Sequence, residues 1–204
     1  MPNLTDKLVR DQRIKKEDIK KIEIFISEAL KFNKHHNIFV RNSKEEIFEK
    51  DVFDCLPAIN MIRDKQKVLD LGSGGGFPGI LIGILKNHTK VFLLEKNQKK
   101  ISFLNKIIFQ LNLTNTETIN TSLVEKNNLQ NFDVITARAF SSINNILKLT
   151  KNNIDKNGYY LLLKGKIEKI NDEIQQVNTN KYKYEIINLN NVTKERHLVK
   201  ITNE

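Results

Sequence analysis

Apolar residues early in the chain recur at intervals of three and four, the spacing of one face of an α-helix. The stripe begins at Ile19 and ends at Leu30. Glu17 and Asp18 come just before it, and acidic residues are favoured in the first turn of a helix. The pattern therefore predicts an amphipathic helix in this segment.

A second helix is predicted to begin at Ser43, because Ser43 and Glu46 have the spacing of a capping box. Pro57 is expected to end this helix, since proline cannot donate the next helical hydrogen bond. Residues 1–64 are therefore predicted to form an N-terminal helical extension.

From residue 67 onward the periodicity changes, and short apolar runs alternate with helical stripes. This alternation is typical of parallel strands joined by helical crossovers. Five such strands are predicted, over residues 68–71, 91–94, 116–120, 132–137 and 159–163. Two helical stripes lie between the first three strands, over residues 80–85 and 101–111.

The last two apolar runs, residues 184–189 and 197–201, have no helix between them. They are therefore predicted to form an antiparallel hairpin. The predicted fold class is α/β, with a mostly parallel Rossmann-like sheet, flanking helices, an antiparallel C-terminal hairpin and the N-terminal helical extension.

Charge is distributed unevenly between the two parts of the chain. The 204 residues carry a formal net charge of +10, which favours a polyanionic partner, although a solvated basic surface explains the charge alone equally well. Residues 1–64 hold 13 basic and 12 acidic residues, whereas residues 65–204 hold 21 and 12. A chain of this length fits one globular unit, with residues 1–64 packed against a domain of residues 65–204.

Several classes of protein are disfavoured by the sequence. Cys55 is the only cysteine, which excludes an intrachain disulfide, and neither Cys55 nor the pair His35 and His36 has partners at metal-ligand spacing. The N-terminal residues lack the apolar core of a signal peptide, and the longest apolar run, residues 79–85, is too short to cross a bilayer. We therefore expect a cytoplasmic monomer with neither a metal nor a membrane partner.

The glycines are concentrated in one loop. None of the eight precedes Gly72, and five lie between Gly72 and Gly79, directly after the first predicted strand. Glycine permits sharp turns with positive φ and close approach of a ligand, and the following helix presents unpaired N–H groups. A purely structural turn needs fewer glycines, so the loop predicts a nucleotide-like ligand.

Two cofactors fit this loop. Its second half satisfies the G-x-G-x-x-G pattern of NAD-binding proteins, which is of low specificity. The run D-x-G-x-G-x-G, which begins at Asp70, instead has the spacing of class I methyltransferases that use S-adenosylmethionine (SAM). SAM is cationic near its reactive end, and Asp70 could supply a carboxylate there. The candidate cofactor contacts in the loop are Gly72, Gly74, Gly76 and Phe77.

Acidic residues follow the next two predicted strands. Glu95 ends the second strand, where an acid can accept hydrogen bonds from both ribose hydroxyls of either cofactor. The alternative for Glu95 is an acid that faces solvent. Val124 and Glu125 follow the third strand, at the edge where adenine would lie, but the residues alone do not distinguish this pair from an ordinary loop.

Basic and aromatic residues follow the fourth and fifth strands. Arg138 comes directly after the fourth strand and precedes Phe140, which places both at the rim of the cleft. Arg138 is a candidate contact for SAM or for an RNA phosphate and the one candidate catalytic residue, with a solvated arginine as the alternative. Lys164 has the same position after the fifth strand and is, with Arg138 and Phe140, a candidate substrate contact.

These segments together resemble the bacterial small-subunit (16S) rRNA guanine-N7 methyltransferases, the family once called glucose-inhibited division protein B. The resemblance covers almost the whole chain. Its most specific segments are Pro78-Gly79, Arg138-Ala139-Phe140 and the terminal run Glu195-Arg196-His197-Leu198-Val199. The other matches are Asn33-Lys34 with Asn37, Asp54, Leu93-Leu94-Glu95, Lys99-Lys100, Phe103-Leu104, Val124-Glu125 and Leu163-Lys164-Gly165.

The resemblance implies SAM as the cofactor, 16S rRNA or the small ribosomal subunit as the partner, and N7 of a guanosine as the methyl acceptor. N7 has a free lone pair, so methyl transfer to it requires no general base. One of two phenylalanines, Phe77 or Phe140, would stack on a base splayed out of the RNA. The implied SAM contacts are Gly72, Phe77, Val124, Glu125 and Arg138.

The chain departs from the family pattern at five positions. Glu95 replaces the common Asp and keeps a ribose acceptor. Asp51 stands where His is usual and Cys55 where Ser is usual, while Leu123 replaces Arg and Phe39 replaces Thr. These changes preserve the pattern of the cofactor site and concern the contacts with RNA.

Two other functions remain open from the residues alone. One is an NAD-dependent oxidoreductase, and the other is a non-catalytic RNA-binding protein on a methyltransferase fold. Stabilisation by SAM but not by NADH would exclude the first. Binding of SAM without methyl transfer to any RNA would favour the second.

Overall fold

The computed structural model describes residues 14–36, 40–41, 43–189 and 195–204. The helices are α1 (Lys16–His36), α2 (Lys44–Ile47), α3 (Phe53–Asn60), α4 (Gly79–Leu85), α5 (Gln98–Gln110), α6 (Ile143–Thr150) and α7 (Ile167–Ile174), with a π-helix over Phe48–Val52 between α2 and α3. The strands are β1 (Lys67–Leu71), β2 (Lys90–Leu94), β3 (Thr116–Ile119), β4 (Phe132–Arg138), β5 (Ile154–Lys164), β6 (Tyr182–Asn188) and β7 (His197–Asn203).

The strands form one sheet in the order β3-β2-β1-β4-β5-β7-β6. Strands β1 to β5 pair in parallel, and β7 runs antiparallel to both β5 and β6. The predicted fold class and the predicted hairpin are therefore confirmed. The strand order reverses between β1 and β4, and in open α/β sheets ligands bind in the crevice beside such a reversal.

Each face of the sheet is covered by an apolar cluster. Neighbouring residues of β1 belong to different clusters, because side chains alternate between the faces of a strand. Val68 lies in the same cluster as Ile22 and Phe25 of α1, whereas Leu69 lies with Ile143 of α6. The N-terminal helices and the sheet thus share one core.

The second predicted helix is longer and less regular than its pattern suggests. Its start is confirmed, because the Ser43 side chain accepts a hydrogen bond from the Glu46 N–H at 3.1 Å. The prediction that Pro57 ends the helix is wrong, since α3 continues to Asn60. Ala58 lies beyond the proline and is buried in the core, and such burial outweighs the loss of one helical hydrogen bond.

Two elements of the described chain have no counterpart in the predicted set. These are α6 and α7, which cover the face of the sheet opposite to α1. Of the helices within the described ranges, none combines the length and the apolar character needed to cross a bilayer.

Candidate functional site

The predicted site residues other than Val124 and Glu125 meet at one edge of the sheet because parallel strands end on the same side. In the sheet register, Leu71 of β1 is level with the last residue of β2 and with Ala137 of β4. Gly72 and Glu95 follow these positions directly, and Arg138 is the last residue of β4. The glycine loop and the candidate substrate contacts therefore lie on either side of the crevice between β1 and β4.

Three glycines of the loop have backbone conformations that favour glycine. The φ angles of Gly72, Gly74 and Gly76 are +65°, +52° and +92°. A Cβ on Gly72 would lie 2.6 Å from Cδ2 of Phe140, and one on Gly76 would lie 2.8 Å from Cγ1 of Ile80. A Cβ on Gly74 would meet no atom closer than 3.5 Å. The loop thus packs tightly at its two ends and leaves the backbone open at its centre.

Glu95 connects the glycine loop to the end of β2. One carboxylate oxygen, Oε2, accepts a hydrogen bond from the Gly74 N–H at 3.1 Å, and Oε1 accepts one from the Asn97 N–H at 2.8 Å. Glu95 is 6% exposed, so the alternative of an acid that faces solvent is wrong. A carboxylate oxygen can accept more than one hydrogen bond, so both oxygens keep capacity for ribose hydroxyls.

Asp70 lies beneath the loop with one of its oxygens unpaired. The side chain is 1% exposed, and Oδ2 accepts a hydrogen bond from the Gly79 N–H at 3.2 Å. Oδ1 is buried and has no hydrogen-bond partner among the described residues. Burial raises the pKa of the Asp70 carboxyl to about 7, against the opposing effect of the nearby Ser73 hydroxyl and of the Gly79 N–H. A buried acid with a spare oxygen suits a cationic ligand such as the methionine end of SAM.

The side chains of Val124 and Glu125 lie on the surface. Val124 is exposed, and Glu125 pairs with Lys151 at 2.5 Å and with Lys148 of α6 at 3.7 Å. The hydrogen bond from Lys151 is the main reason that the pKa of Glu125 lies below its usual range. The Glu125 carboxylate is thus occupied by lysines, and a contact of this pair with adenine stays a prediction.

Arg138 is held by an acidic residue that connects it to the N-terminal helices. Its guanidinium pairs with Asp51, lies 3.9 Å from Sγ of Cys55 and stands over the Phe77 ring at 5.7 Å. The Asp51 carboxylate, which is 2% exposed, also accepts two hydrogen bonds from Arg41, at 2.8 and 3.1 Å. Two of the five departures from the family pattern, Asp51 and Cys55, therefore contact Arg138 directly.

The two phenylalanines proposed to stack on a base have different surroundings. Phe77 is buried, and its ring packs against Phe25 at a centroid distance of 4.8 Å. Phe140 is half-buried, lies against Gly72 and also lines the pocket described next. Phe140 is therefore the aromatic side chain available to a base.

A cavity of about 640 Å³ opens at the carboxyl ends of β4 and β5, beside the glycine loop. Lys164 pairs with Glu173 at 2.7 Å and Arg196 with Asp54 at 3.1 Å, while Arg41 and Arg138 share the Asp51 carboxylate, which does not line the cavity. Six basic residues face the cavity, against the two acidic residues Asp54 and Glu173. The basic residues are Arg41, Arg138, Lys164, Lys166, Lys169 and Arg196. The cavity, which we call the basic pocket, therefore attracts an anionic substrate.

Four of these basic residues were not among the predicted site residues, and one of the four, Arg196, was named only in the run that carries the resemblance. Lys166 and Lys169 are exposed and follow Lys164, a predicted substrate contact, within five residues. Their closeness to Lys164 in the sequence could have indicated that they face the same pocket. Arg41 lies far from β4 in sequence, and no local pattern places it in the pocket. Two residues of the resemblance, Asn37 and Phe39, lie outside the described residues.

In the part of the chain that the structure describes, no three His, Cys, Asp or Glu side chains are grouped so that they could hold a metal ion. His36 instead packs against Phe32, with ring centroids 4.3 Å apart.

Known structures share the fold of this protein. A SAM-dependent methyltransferase from Aquifex aeolicus superposes with a TM-score of 0.60 at 15% identity, over 76% of this chain and 92% of that one. The Bacillus subtilis tRNA methyltransferase TrmK also gives 0.60 at 13% identity, over 74% and 65%. At these identities the likeness concerns the fold alone, which is that of class I methyltransferases.

Sequence relatives identify the family. The family model described as GidB, rRNA small subunit methyltransferase G, matches residues 18–199. The ribosomal RNA small subunit methyltransferase G of Brachyspira hyodysenteriae is 37% identical over 182 residues, 87% of each chain. Its counterpart from Borreliella burgdorferi is 32% identical over 187 residues, 89% of each chain. The resemblance and the SAM cofactor predicted from the sequence are confirmed, and the oxidoreductase alternative is not supported: the chain belongs to the rRNA small subunit methyltransferase G family.

Proposed function

We propose that this protein transfers a methyl group from SAM to N7 of a guanosine in 16S rRNA. One observation carries the proposal: the ring of Phe140 touches the cofactor loop at Gly72 and also lines the basic pocket. A base stacked on Phe140 would therefore lie between the loop and the basic side chains that attract the RNA.

The loop residues have the properties that SAM requires. The open backbone at Gly74 permits close approach, Glu95 can accept hydrogen bonds from the ribose, and the unpaired oxygen of Asp70 suits a positive charge. Gly72, Gly76, Phe77, Val124, Glu125 and Arg138 complete the proposed cofactor contacts. Bound SAM supplies the electrophilic methyl group.

Methyl transfer to N7 requires mainly that the protein orient the guanine and the methyl group of SAM. N7 of guanine carries a free lone pair, so no residue has to remove a proton before transfer. Holding two reactants in line can contribute about 7–11 kcal/mol to lowering a barrier. Arg138, Phe140 and Lys164 are the proposed substrate contacts, and their role is to bind and orient the nucleotide.

The test is methyl transfer from labelled SAM to small-subunit RNA, and to small subunits, isolated from cells that lack this enzyme. The RNA is then cleaved chemically at N7-methylguanosine. We expect label in the RNA and one cleavage site. Label without cleavage would contradict N7 as the acceptor, and SAM binding without label in either substrate would favour a non-catalytic RNA-binding protein.

An Arg138→Ala variant tests the proposed catalytic residue in the same assay. We expect a loss of methyl transfer of at least ten-fold, the order of magnitude of one charge-assisted hydrogen bond. Normal transfer by this variant would remove Arg138 from the mechanism.

A further inference from the structure

A second basic concavity adjoins the basic pocket on the side of the N-terminal helices. It lies along α1 and is lined by Ser27, Leu30, Lys31, Asn33, Lys34, Arg41 and Lys44. We call it the α1 groove. Arg41 lines both the groove and the basic pocket, so the two concavities meet at this side chain.

The groove carries an excess of positive charge. None of the described residues that line it is acidic. Lys31 pairs with Glu28 at 2.7 Å, but Lys106 pairs with the same carboxylate at 2.7 Å, so one acid is shared by two lysines. Lys34 and Lys44 both line the groove and are exposed. The partner that fits this surface is therefore a polyanion.

The junction between the groove and the pocket is held in place. Asp51 binds Arg41 with two hydrogen bonds and pairs with Arg138 through the same carboxylate. One negative charge is thus shared by two guanidinium groups, and the junction remains cationic. An anionic strand that leaves the pocket would meet Arg41 first and then the lysines of the groove.

The side chains of the two concavities differ in what they can recognise. The pocket contains the aromatic ring of Phe140, which can stack on a base. In the stretch of chain that the structure describes, no aromatic side chain lines the groove. Lysines without aromatic neighbours contact phosphates and position a strand, whereas base recognition uses stacking or base edges.

We propose that the α1 groove binds the sugar–phosphate backbone of the RNA strand that flanks the methylated nucleotide. The proposal rests on the proposed function, because it takes RNA as the substrate of the adjoining pocket. It assigns to Lys34 and Lys44 contacts with phosphates outside the pocket, and it makes Arg41 the point where the strand passes from one concavity to the other.

The test compares two double variants of the full-length protein. In the first, Lys34→Gln and Lys44→Gln remove two charges from the groove. In the second, the matched control, Lys90→Gln and Lys156→Gln remove two exposed charges near the amino ends of β2 and β5, at the opposite edge of the sheet. The two double variants have equal net charge, each two units below that of the wild type. A difference in RNA binding between them therefore depends on where the charges lie and not on the total charge.

The probe is small-subunit RNA from cells that lack the enzyme, and its binding is measured at several salt concentrations without SAM. For the groove variant we expect affinity to fall roughly 5- to 30-fold. The slope of log affinity against log salt should decrease by about 1.4, since each lost contact with single-stranded RNA contributes about 0.7. The control should retain the wild-type slope, and SAM affinity should be unchanged in both.

The outcomes separate this proposal from the proposed function. Equal slopes for the groove variant, the control and the wild type would overturn the groove proposal, whether or not the protein methylates RNA. A wild type that binds RNA without methylating it would overturn the proposed function, while the slopes still decide the groove. A groove variant that binds free RNA normally but methylates assembled subunits poorly would assign the groove to a ribosomal protein and overturn the proposal.

Discussion

At the scale of single residues, the Asp51 carboxylate holds two of the three arginines that face the basic pocket. It is buried, yet it is bound by two guanidinium groups from distant parts of the chain, those of Arg41 and Arg138. A buried carboxylate is tolerated only when it is well paired, and removing one member of such a group leaves the others without compensation.

We expect Asp51→Asn to lower the free energy of unfolding by about 2–4 kcal/mol, somewhat less than for a fully buried pair because both arginines are partly exposed. Urea unfolding followed by circular dichroism measures this loss. Lys183→Gln is the control, because Lys183 pairs with Glu204 on the surface and its loss should cost no more than about 0.5 kcal/mol. Equal stability of Asp51→Asn and the wild type would show that other contacts hold the arginines.

The raised pKa of Asp70 predicts that the free energy of unfolding depends on pH. Burial raises its pKa in the folded protein to about 7, above the ordinary value of 3.8 that it recovers on unfolding. Between these values the folded state binds more protons than the unfolded state, so the contribution of Asp70 to stability decreases as the pH rises.

Asp70→Asn removes this titration, so the unfolding midpoint of the wild type should fall relative to that of the variant between about pH 4 and pH 7 and then stay level. Urea unfolding at each pH unit measures the difference, and all other titrating groups are common to both proteins. Parallel pH profiles would contradict a raised pKa at Asp70.

At the scale of elements, the glycine loop is shaped both by backbone conformation and by Phe140. Gly72 and Gly74 have positive φ, so alanine at either position brings strain of about 1–2 kcal/mol. Only at Gly72 would the new Cβ also collide with the Phe140 ring, at 2.6 Å.

We therefore expect Gly72→Ala to lose more stability and more SAM affinity than Gly74→Ala, as measured by thermal unfolding and by calorimetric titration. Adding Phe140→Ala to Gly72→Ala should restore part of the stability, because the collision is removed while the strain remains. If Phe140→Ala lowers the stability by the same amount with and without Gly72→Ala, the collision with Phe140 does not contribute to the effect of Gly72→Ala.

How well each element can be predicted depends on whether its signal lies in the local sequence or in contacts with distant residues. Strands β1, β2, β4 and β5 were predictable because each contains a short run of buried apolar residues, whereas β3 has only one buried residue. Helices α6 and α7 have only eight residues each, about two turns, so few positions repeat in their apolar stripes, whereas α1 has 21 residues. Pro57 was misinterpreted because the burial of α3 is a property of the core and is not visible in the local sequence.

At the scale of the whole molecule, the predicted boundary between residues 1–64 and 65–204 does not separate two cores. Ile22 and Phe25 of α1 belong to the same apolar cluster as Val68 of β1 and Phe103 of α5. The N-terminal helices therefore complete the core of the sheet domain, and each part alone would expose apolar surface.

We expect the intact chain to unfold in a single cooperative transition. Calorimetry and far-ultraviolet circular dichroism should give the same midpoint, with the calorimetric enthalpy equal to the van't Hoff enthalpy. A fragment of residues 65–204 should lack a cooperative transition. Two separate transitions in the intact chain, or a cooperatively folded fragment, would show that residues 1–64 form an independent unit.

The sequence by itself determined the class of fold, the glycine loop and the placement of Glu95, Arg138 and Lys164 at one sheet edge. These features follow from local periodicity and from the rule that parallel strands end on the same side. Only the tertiary structure decided that β7 inserts between β5 and β6, and that Asp51 joins Arg138 to Arg41. The physical reason is that pairing between distant residues depends on how the helices pack on the sheet, which local apolar periodicity does not encode.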